Sequence, residues 1–273
     1  MRARGPRALR VAVAAVLVAI AAGCGQSTGT ASSGESGGRA TVRVAAAADL
    51  KFAMDEVAAA LVRSQPDIDL AVTYGSSGTF FQQLSNGAPF DVFLSADLSY
   101  PAKLAEAGKA SNDDVFRYAV GRLVVWAPNG SPVDATRGLA SLSSPEVTKV
   151  AIANPAHAPY GKAAVAAMQA AGVYDAVDDK LVLGENVAQA AEFAQSGNAQ
   201  VGVFALSLAL SSQLKDKGRF AEVPLESYPR LDQGGVVMGD ARDPQAARRV
   251  KDFLLGEQGR AILGGYGFSE PGT

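Results

Sequence analysis

The sequence predicts an α/β protein in which mainly parallel sheets are flanked by helices, and three observations predict it. Short apolar runs alternate with amphipathic stretches of helical spacing, which is the signature of repeated strand-helix units. The connections between units are short, and glycines close several of the helical stretches. The chain has 273 residues, 48% of them hydrophobic and 19% charged, which is enough apolar material for one or two cores and too much for a disordered segment.

The elements follow in order from Thr41. Thr41 to Ala47 is a buried strand, and Asp49 suits a helix N-cap ahead of Leu50, Met54, Val57 and Leu61 at helical spacing. Ile68 to Tyr74 is a second strand, Thr79 to Leu84 a short helix and Asp91 to Leu94 a third strand. A helix around Tyr100 to Ala107 then stops at Gly108. After Pro128 the texture changes, and turn-rich sequence from Asn129 to Ser144 reads as a passage into a second domain. That domain offers a strand at Lys149 to Ala153, a helix from Gly161 to Ala171 stopped by Gly172, and a strand at Leu181 to Leu183. A helix from Val187 to Gln195 stopped by Gly197 and a strand at Gln200 to Phe204 complete it. Gly234 to Asp240 carries the chain back, and Asp243-Pro244 pairs an N-cap with a proline at the first helical position for a helix through Leu255.

The segment before Thr41 reads as an export signal. Arg2, Arg4, Arg7 and Arg10 precede an entirely apolar run, Val11 to Ala22, too short to span a bilayer but suited to a signal peptide. Ala21-Ala22-Gly23-Cys24 resembles the bacterial lipobox, with Ala21 where leucine is usual. Residues 1–23 are therefore expected to be a signal peptide, Cys24 a lipidated first residue, and 24–40 a flexible Gly/Ser-rich tether. Losing four arginines and no acid takes the formal charge from −2 to −6, so the exported part is mildly acidic.

Composition excludes much chemistry. Near-balanced charge gives no footprint for nucleic acid. One cysteine, Cys24, and one histidine, His157, leave no disulfide framework and no preferred zinc ligand set. Gly-x-Ser-x-Gly occurs at Gly25 to Gly29 and Gly34 to Gly38, inside the Gly/Ser-rich tether and not as an elbow between a strand and a helix. There is no phosphate loop or dinucleotide fingerprint, and the adjacent acids Asp113-Asp114 and Asp178-Asp179 read as solvated turns. No enzyme, cofactor or direct cation ligand is expected. Instead, Gly75-Ser76-Ser77-Gly78, Ala158-Pro159-Tyr160-Gly161 and Asn186-Val187-Ala188-Gln189 each open a helix and contain no lysine or arginine, the last resembling a capping box. Helix N-termini beyond the carboxyl ends of strands form an anion site without any cation.

Taken in order, a set of segments resembles the periplasmic molybdate-binding proteins that feed ABC transporters. They are Ala45 to Leu50, Tyr74 to Thr79, Gly87-Ala-Pro-Phe-Asp-Val-Phe-Leu-Ser-Ala-Asp97, Gly121 to Val125, Asn154 to Gly161, Gly184 to Val187 and Gly265 to Phe268. The resemblance runs from about Thr41 to Phe268. It implies a two-lobed type II periplasmic-binding-protein fold, with 41–121 plus 234–273 as one lobe and 122–233 as the other. A tetrahedral oxyanion, molybdate or tungstate, would be gripped between the lobes by neutral donors. Carried over by position, Ser77 supplies a hydroxyl and an amide with Ser76 beside it, while Ala96, Tyr160 and Val187 contribute mainly backbone N–H groups. Each such bond to a charged acceptor is worth about 1.5–3 kcal/mol, so five or six reach micromolar affinity.

Two positions depart from the family pattern. Asp49 stands where a ligand-binding serine is usual, either as an N-cap turned away from the cleft or as a carboxyl facing the ligand. In the second case it repels a dianion and accepts from a protonated oxyanion such as hydrogen phosphate. Ala205 replaces a tyrosine hydroxyl, unless Ser207 or the Tyr160 side chain substitutes for it. His157 reads as a structural or exposed imidazole, Tyr118 and Trp126 as hinge or core packing, and Phe80 and Phe81 as packing for the short helix.

The expected protein is a monomeric lipoprotein on the outer face of the cytoplasmic membrane, held there by its lipid alone. It delivers an oxyanion to an ABC-transporter permease. A receptor for another oxyanion such as phosphate or sulfate, or a surface interaction lipoprotein without a transported ligand, remains the alternative.

Overall fold

The computed structural model describes residues 39–272. The expected signal peptide, Cys24 and all but the end of the tether lie outside the described residues.

β1 (Ala40–Ala47) ends in four buried residues and has no polar face there, as befits a strand covered on both sides. A 3₁₀ turn, Ala48–Leu50, leads into α1 (Lys51–Ser64), which buries Ala53, Met54, Val57, Ala60 and Leu61 at helical spacing. Next come β2 (Ile68–Gly75), α2 (Ser77–Ser85), β3 (Val92–Ser95), α3 (Ser99–Glu106) and β4 (Val115–Gly121). The chain crosses at Arg122 into β5 (Leu123–Pro128), then a 3₁₀ segment, Ala135–Ser143, and β6 (Val150–Ala153). α4 (Pro159–Ala170), β7 (Leu181–Gly184), α5 (Val187–Gln195), β8 (Val201–Ala205), the four-residue α6 (Leu206–Ala209) and β9 (Gly218–Glu222) follow. The chain returns as β10 (Leu231–Val237) and ends in α7 (Pro244–Leu255) and α8 (Glu257–Gly265).

Two five-stranded mixed sheets result, in the orders β2-β1-β3-β10-β4 and β7-β6-β8-β5-β9. They share one plan. In each, three parallel strands are followed by an antiparallel strand inserted just after the chain arrives from the other sheet: β10 pairs β3 and β4, and β5 pairs β8 and β9. The plan repeats although no sequence repeat is apparent.

Apolar residues fill both faces of the first sheet. Phe80, Phe93 and Met238 lie on one side and Met54, Leu61, Val250 and Leu254 on the other. The second sheet has a continuous core around Trp126, Phe204, Leu142 and Met168. Phe80 packs edge-on against Phe90 and Phe93, Phe81 lies against Tyr100, and Tyr118 and Trp126 are both buried in these cores. Asp91, just before β3, accepts from the Arg43 backbone N–H at 2.7 Å, from its Nε at 3.0 Å and Nη2 at 2.8 Å, and from the Arg242 N–H at 2.9 Å. Burial pushes this carboxyl up, but Arg43 and the two amides outweigh it and hold it below the usual carboxylate range.

The glycine stops have a simple cause. Gly108, Gly172 and Gly197 take φ of 72°, 67° and 80°, the left-handed region that ends a helix at little steric cost. The turn-rich stretch from Asn129 to Ser144 is not the passage between sheets. β5 already belongs to the second sheet, so the crossing falls at Arg122, inside what reads in the sequence as one apolar run. Asp243 caps α7 through the amides of Gln245 and Ala246, as its pairing with Pro244 predicts.

Candidate functional site

The joints that open helices from both sheets meet in one small pocket. It is lined by Ala47, Ala48 and Asp49 at the end of β1, Gly75, Ser76 and Ser77 at the end of β2, and Ala96 after β3. Ala158, Pro159 and Tyr160 after β6, and Val187 after β7, complete it. All six residues assigned to a ligand site from the sequence, Asp49, Ser76, Ser77, Ala96, Tyr160 and Val187, are therefore brought together. The cavity is about 10 Å³, roughly the space of one water molecule.

The local chemistry leaves helix N-termini turned to this point. Ser76 is the N-cap of α2, yet its side chain caps no amide. Its hydroxyl instead donates to the His157 carbonyl at 2.7 Å and lies 2.9 Å from His157 Nδ1. Ala158, the N-cap of α4, has no side chain that could cap, and Pro159 has no N–H, so Tyr160 brings the first amide of that helix. Asn186 does cap α5, accepting from the amides of Ala188 and Gln189 rather than that of Val187. The reciprocal half of the expected capping box is displaced by one residue, since Gln189 accepts from the Glu185 amide at 2.7 Å. Ser77 and Ala96 are bonded to each other, the Ala96 amide donating to Ser77 Oγ at 3.0 Å. Among the described residues lining the pocket there is no lysine, arginine or histidine.

Asp49 corrects the N-cap expectation. It sits in the 3₁₀ turn, and α1 begins one residue later from Leu50 without a side-chain cap. Its carboxyl is buried at the pocket, with Oδ2 accepting from Gln233 Nε2 and Oδ1 without a hydrogen-bond partner. Burial pushes this carboxyl up to about 6, against the opposing influence of Gln233 and the nearby Tyr160 hydroxyl. Gln233 is the hub of this network, also donating to the Tyr160 hydroxyl at 3.2 Å and accepting from that of Tyr118 at 2.8 Å. The phenols of Tyr118 and Tyr160 are pushed up by their own burial and by Asp49. Gly121 makes room for the network, because a Cβ there would collide with the Tyr160 hydroxyl.

Gln233 escapes the sequence reading, which starts the returning strand at Gly234. The available signal is a single uncharged polar residue next to a run that must be buried on both sides. Neither candidate replaces the missing tyrosine at Ala205. Ser207 spends its hydroxyl on the Asp49 carbonyl at 2.7 Å, and the Tyr160 hydroxyl accepts from Gln233 and faces the Asp49 carboxyl as a donor. His157 is structural rather than pocket-lining. Its carbonyl receives Ser76 Oγ and the Gly78 amide, at 2.9 Å for the latter, and its Nε2 lies 3.7 Å from Glu185. Those bonds tie the start of α2, on the first sheet, to the loop before α4, on the second.

Two α/β halves with helix N-termini converging on a cation-free pocket define a solute-binding protein, and a family model described as bacterial extracellular solute-binding protein matches residues 42–269. The molybdate-binding protein ModA of Rhodobacter capsulatus is 41% identical over 199 residues, covering 72% of this chain and 77% of the relative. That of Azotobacter vinelandii is 34% identical over 229 residues, covering 84% and 90%. The solved structure of the Azotobacter vinelandii periplasmic molybdate-binding protein superposes with a TM-score of 0.79 at 29% identity, over 84% of this chain and 99% of that one. The chain belongs to the ModA family of bacterial extracellular solute-binding proteins.

Proposed function

We propose that this protein captures molybdate or tungstate outside the cytoplasmic membrane and delivers it to the permease of an ABC transporter. The observation that carries the reading is the pocket itself. Ser76, Ser77, Ala96, Tyr160 and Val187 meet there from both sheets, at the openings of α2, α4 and α5, with no cation among them. The relatives' names support molybdate as the anion.

A helix N-terminus carries unpaired N–H groups and about half a positive charge, so several aimed at one point stabilise an anion without a lysine or arginine. A tetrahedral oxyanion is larger than the single water that the pocket would hold, so the halves must part to admit it. Ser77 Oγ and the Ala96 amide, bonded to each other, then turn to the anion. Because donors come from both halves, the anion binds the closed arrangement better than the open one and shifts the population towards it. The lobes that move are taken as 41–121 plus 234–273 and 122–233, with the whole of β10, from Leu231, moving with the first. The protein acts as a monomer, and Cys24 carries the lipid that holds it at the membrane.

Calorimetric titration of the purified protein with molybdate, tungstate, sulfate and phosphate tests the ligand. Micromolar or tighter molybdate and tungstate binding, with weak sulfate, is expected. A second reading, a receptor for a protonated oxyanion such as hydrogen phosphate, is favoured by the buried Asp49 carboxyl, and tight phosphate with no molybdate binding would establish it instead. Radioactive fatty-acid labelling of the wild type and Cys24→Ser tests the anchor, with label expected only in the wild type.

A further inference from the structure

The pocket contains one group that an anion held by neutral donors does not need. Asp49 is 1% exposed, and its Oδ1 is buried without a partner in the same lining as Ser76, Ser77, Ala96, Tyr160 and Val187. Its other oxygen is fixed by Gln233, so the carboxyl cannot swing out to solvent without breaking the Gln233 contact. A carboxylate and a dianion in one buried pocket repel strongly, and the lining offers only partial charges and neutral donors, with no cation, against the repulsion. A single proton does offset it. It turns Asp49 into a donor to the anion, or equivalently turns the anion into a donor to Asp49.

The titratable groups facing this carboxyl are the phenols of Tyr160 from α4 and Tyr118 from β4, both kept neutral by burial. The other elements against the turn bring uncharged groups: Ser207 from α6, Val187 from α5, Gly75 from β2 and Gln233 from β10. Lys51 of α1 and Glu192 of α5 pair with each other at 3.5 Å on the surface. Tyr74 of β2 donates to Asp55. His157 belongs to the neighbouring Ser76 contact. The proton therefore has no other acceptor in the pocket besides Asp49 and the anion.

We propose that Asp49 contacts the ligand and that the closed complex holds one proton between Asp49 Oδ1 and an oxygen of the anion, so that a fully deprotonated tetrahedral oxyanion is captured only together with a proton. This rests on the oxyanion reading of the pocket. The free carboxyl, at about 6, is ionised at neutral pH, so molybdate binding there draws its proton from the solvent. Hydrogen phosphate brings its own.

The test is calorimetric titration of the wild type with molybdate from about pH 5 to about pH 8, in pairs of buffers of different ionisation enthalpy. Expected is uptake of about one proton per anion at the upper end, fading below about pH 6, with Kd rising about tenfold per pH unit over the upper range. Asp49→Asn keeps the shape and abolishes both uptake and slope, and phosphate binds the wild type with little uptake at the upper end. Molybdate binding with a flat Kd and no uptake overturns the proposal while leaving the oxyanion reading intact, as does uptake that persists in Asp49→Asn. Absence of heat with every one of these anions across the range overturns both. The wild-type proton count alone decides the matter if the variant does not fold.

Discussion

Replacing Asp49 by asparagine should change how the stability of the ligand-free protein depends on pH. The carboxyl stands at about 6 in the folded chain against an ordinary 3.8, and at about 1.4 kcal/mol per pH unit that difference amounts to roughly 3 kcal/mol. Because the folded value is the higher one, the folded state binds the extra proton between these two values. This contribution to stability is fully present below about pH 4 and is lost as pH rises through about 6. Asparagine cannot ionise and loses nothing. The free energy of unfolding of the wild type minus that of Asp49→Asn should therefore fall by about 3 kcal/mol between about pH 4 and about pH 7 and stay level above. Urea titrations followed by fluorescence report it, since the one tryptophan, Trp126, is fully buried against Phe204. Taking the difference cancels the other carboxylates, including Asp91, whose lowered value acts with the opposite sign. Parallel profiles for the two proteins would refute the assignment of a neutral buried carboxyl at low pH.

Three further outcomes follow from the same geometry. Ser77→Ala removes a hydroxyl donor from the pocket and should weaken molybdate binding by about 1.5–3 kcal/mol, or roughly ten- to hundredfold in Kd by calorimetry. Because it also takes the acceptor from the buried Ala96 amide, the thermal midpoint of the free protein should fall as well. Gly78→Ala places a Cβ 2.5 Å from the His157 carbonyl oxygen, so the two halves should no longer meet. Kd should rise at least about tenfold while the free protein melts no lower, since alanine is the better helix former by about 1 kcal/mol; an unchanged Kd would show that this contact is not part of closure. Asp91→Ala leaves the Arg43 guanidinium and two amides without their acceptor and should cost about 3–5 kcal/mol in urea unfolding.

What the sequence made legible was set by local physics. Apolar runs placed β1, β2, β3, β6, β7 and β8 to within two residues, and glycines at positive φ marked where helices stop. The helix-opening loops were legible for the same reason, because capping residues and prolines act on the nearest few amides. β9, Gly-Arg-Phe-Ala-Glu, was not legible: it is a partly exposed edge strand that exists because β5 offers it a free edge. The four-residue α6 is likewise too short to carry a period. The split of Tyr118 to Pro128 into β4 and β5 turns on one residue, Arg122, between two equally apolar stretches. Asp49 misled for a deeper reason. An aspartate before a helical pattern is a good cap by local rules, and only the distant Gln233 and Ser207 decide that it is buried instead.

The strand that closes the first sheet comes almost last in the chain. β10 lies between β3 and β4 in the sheet order, and it starts at Leu231. The second sheet, by contrast, is built from one uninterrupted stretch, β5 to β9. During synthesis the later half can therefore complete its sheet while the earlier half still waits with two unjoined edges, β3 and β4, separated by a gap one strand wide. Contacts of such long sequence separation are slow to form. The C-terminal forty or so residues thus act as the keystone of the half that was made first, and a chain cut short before Leu231 would leave that half open.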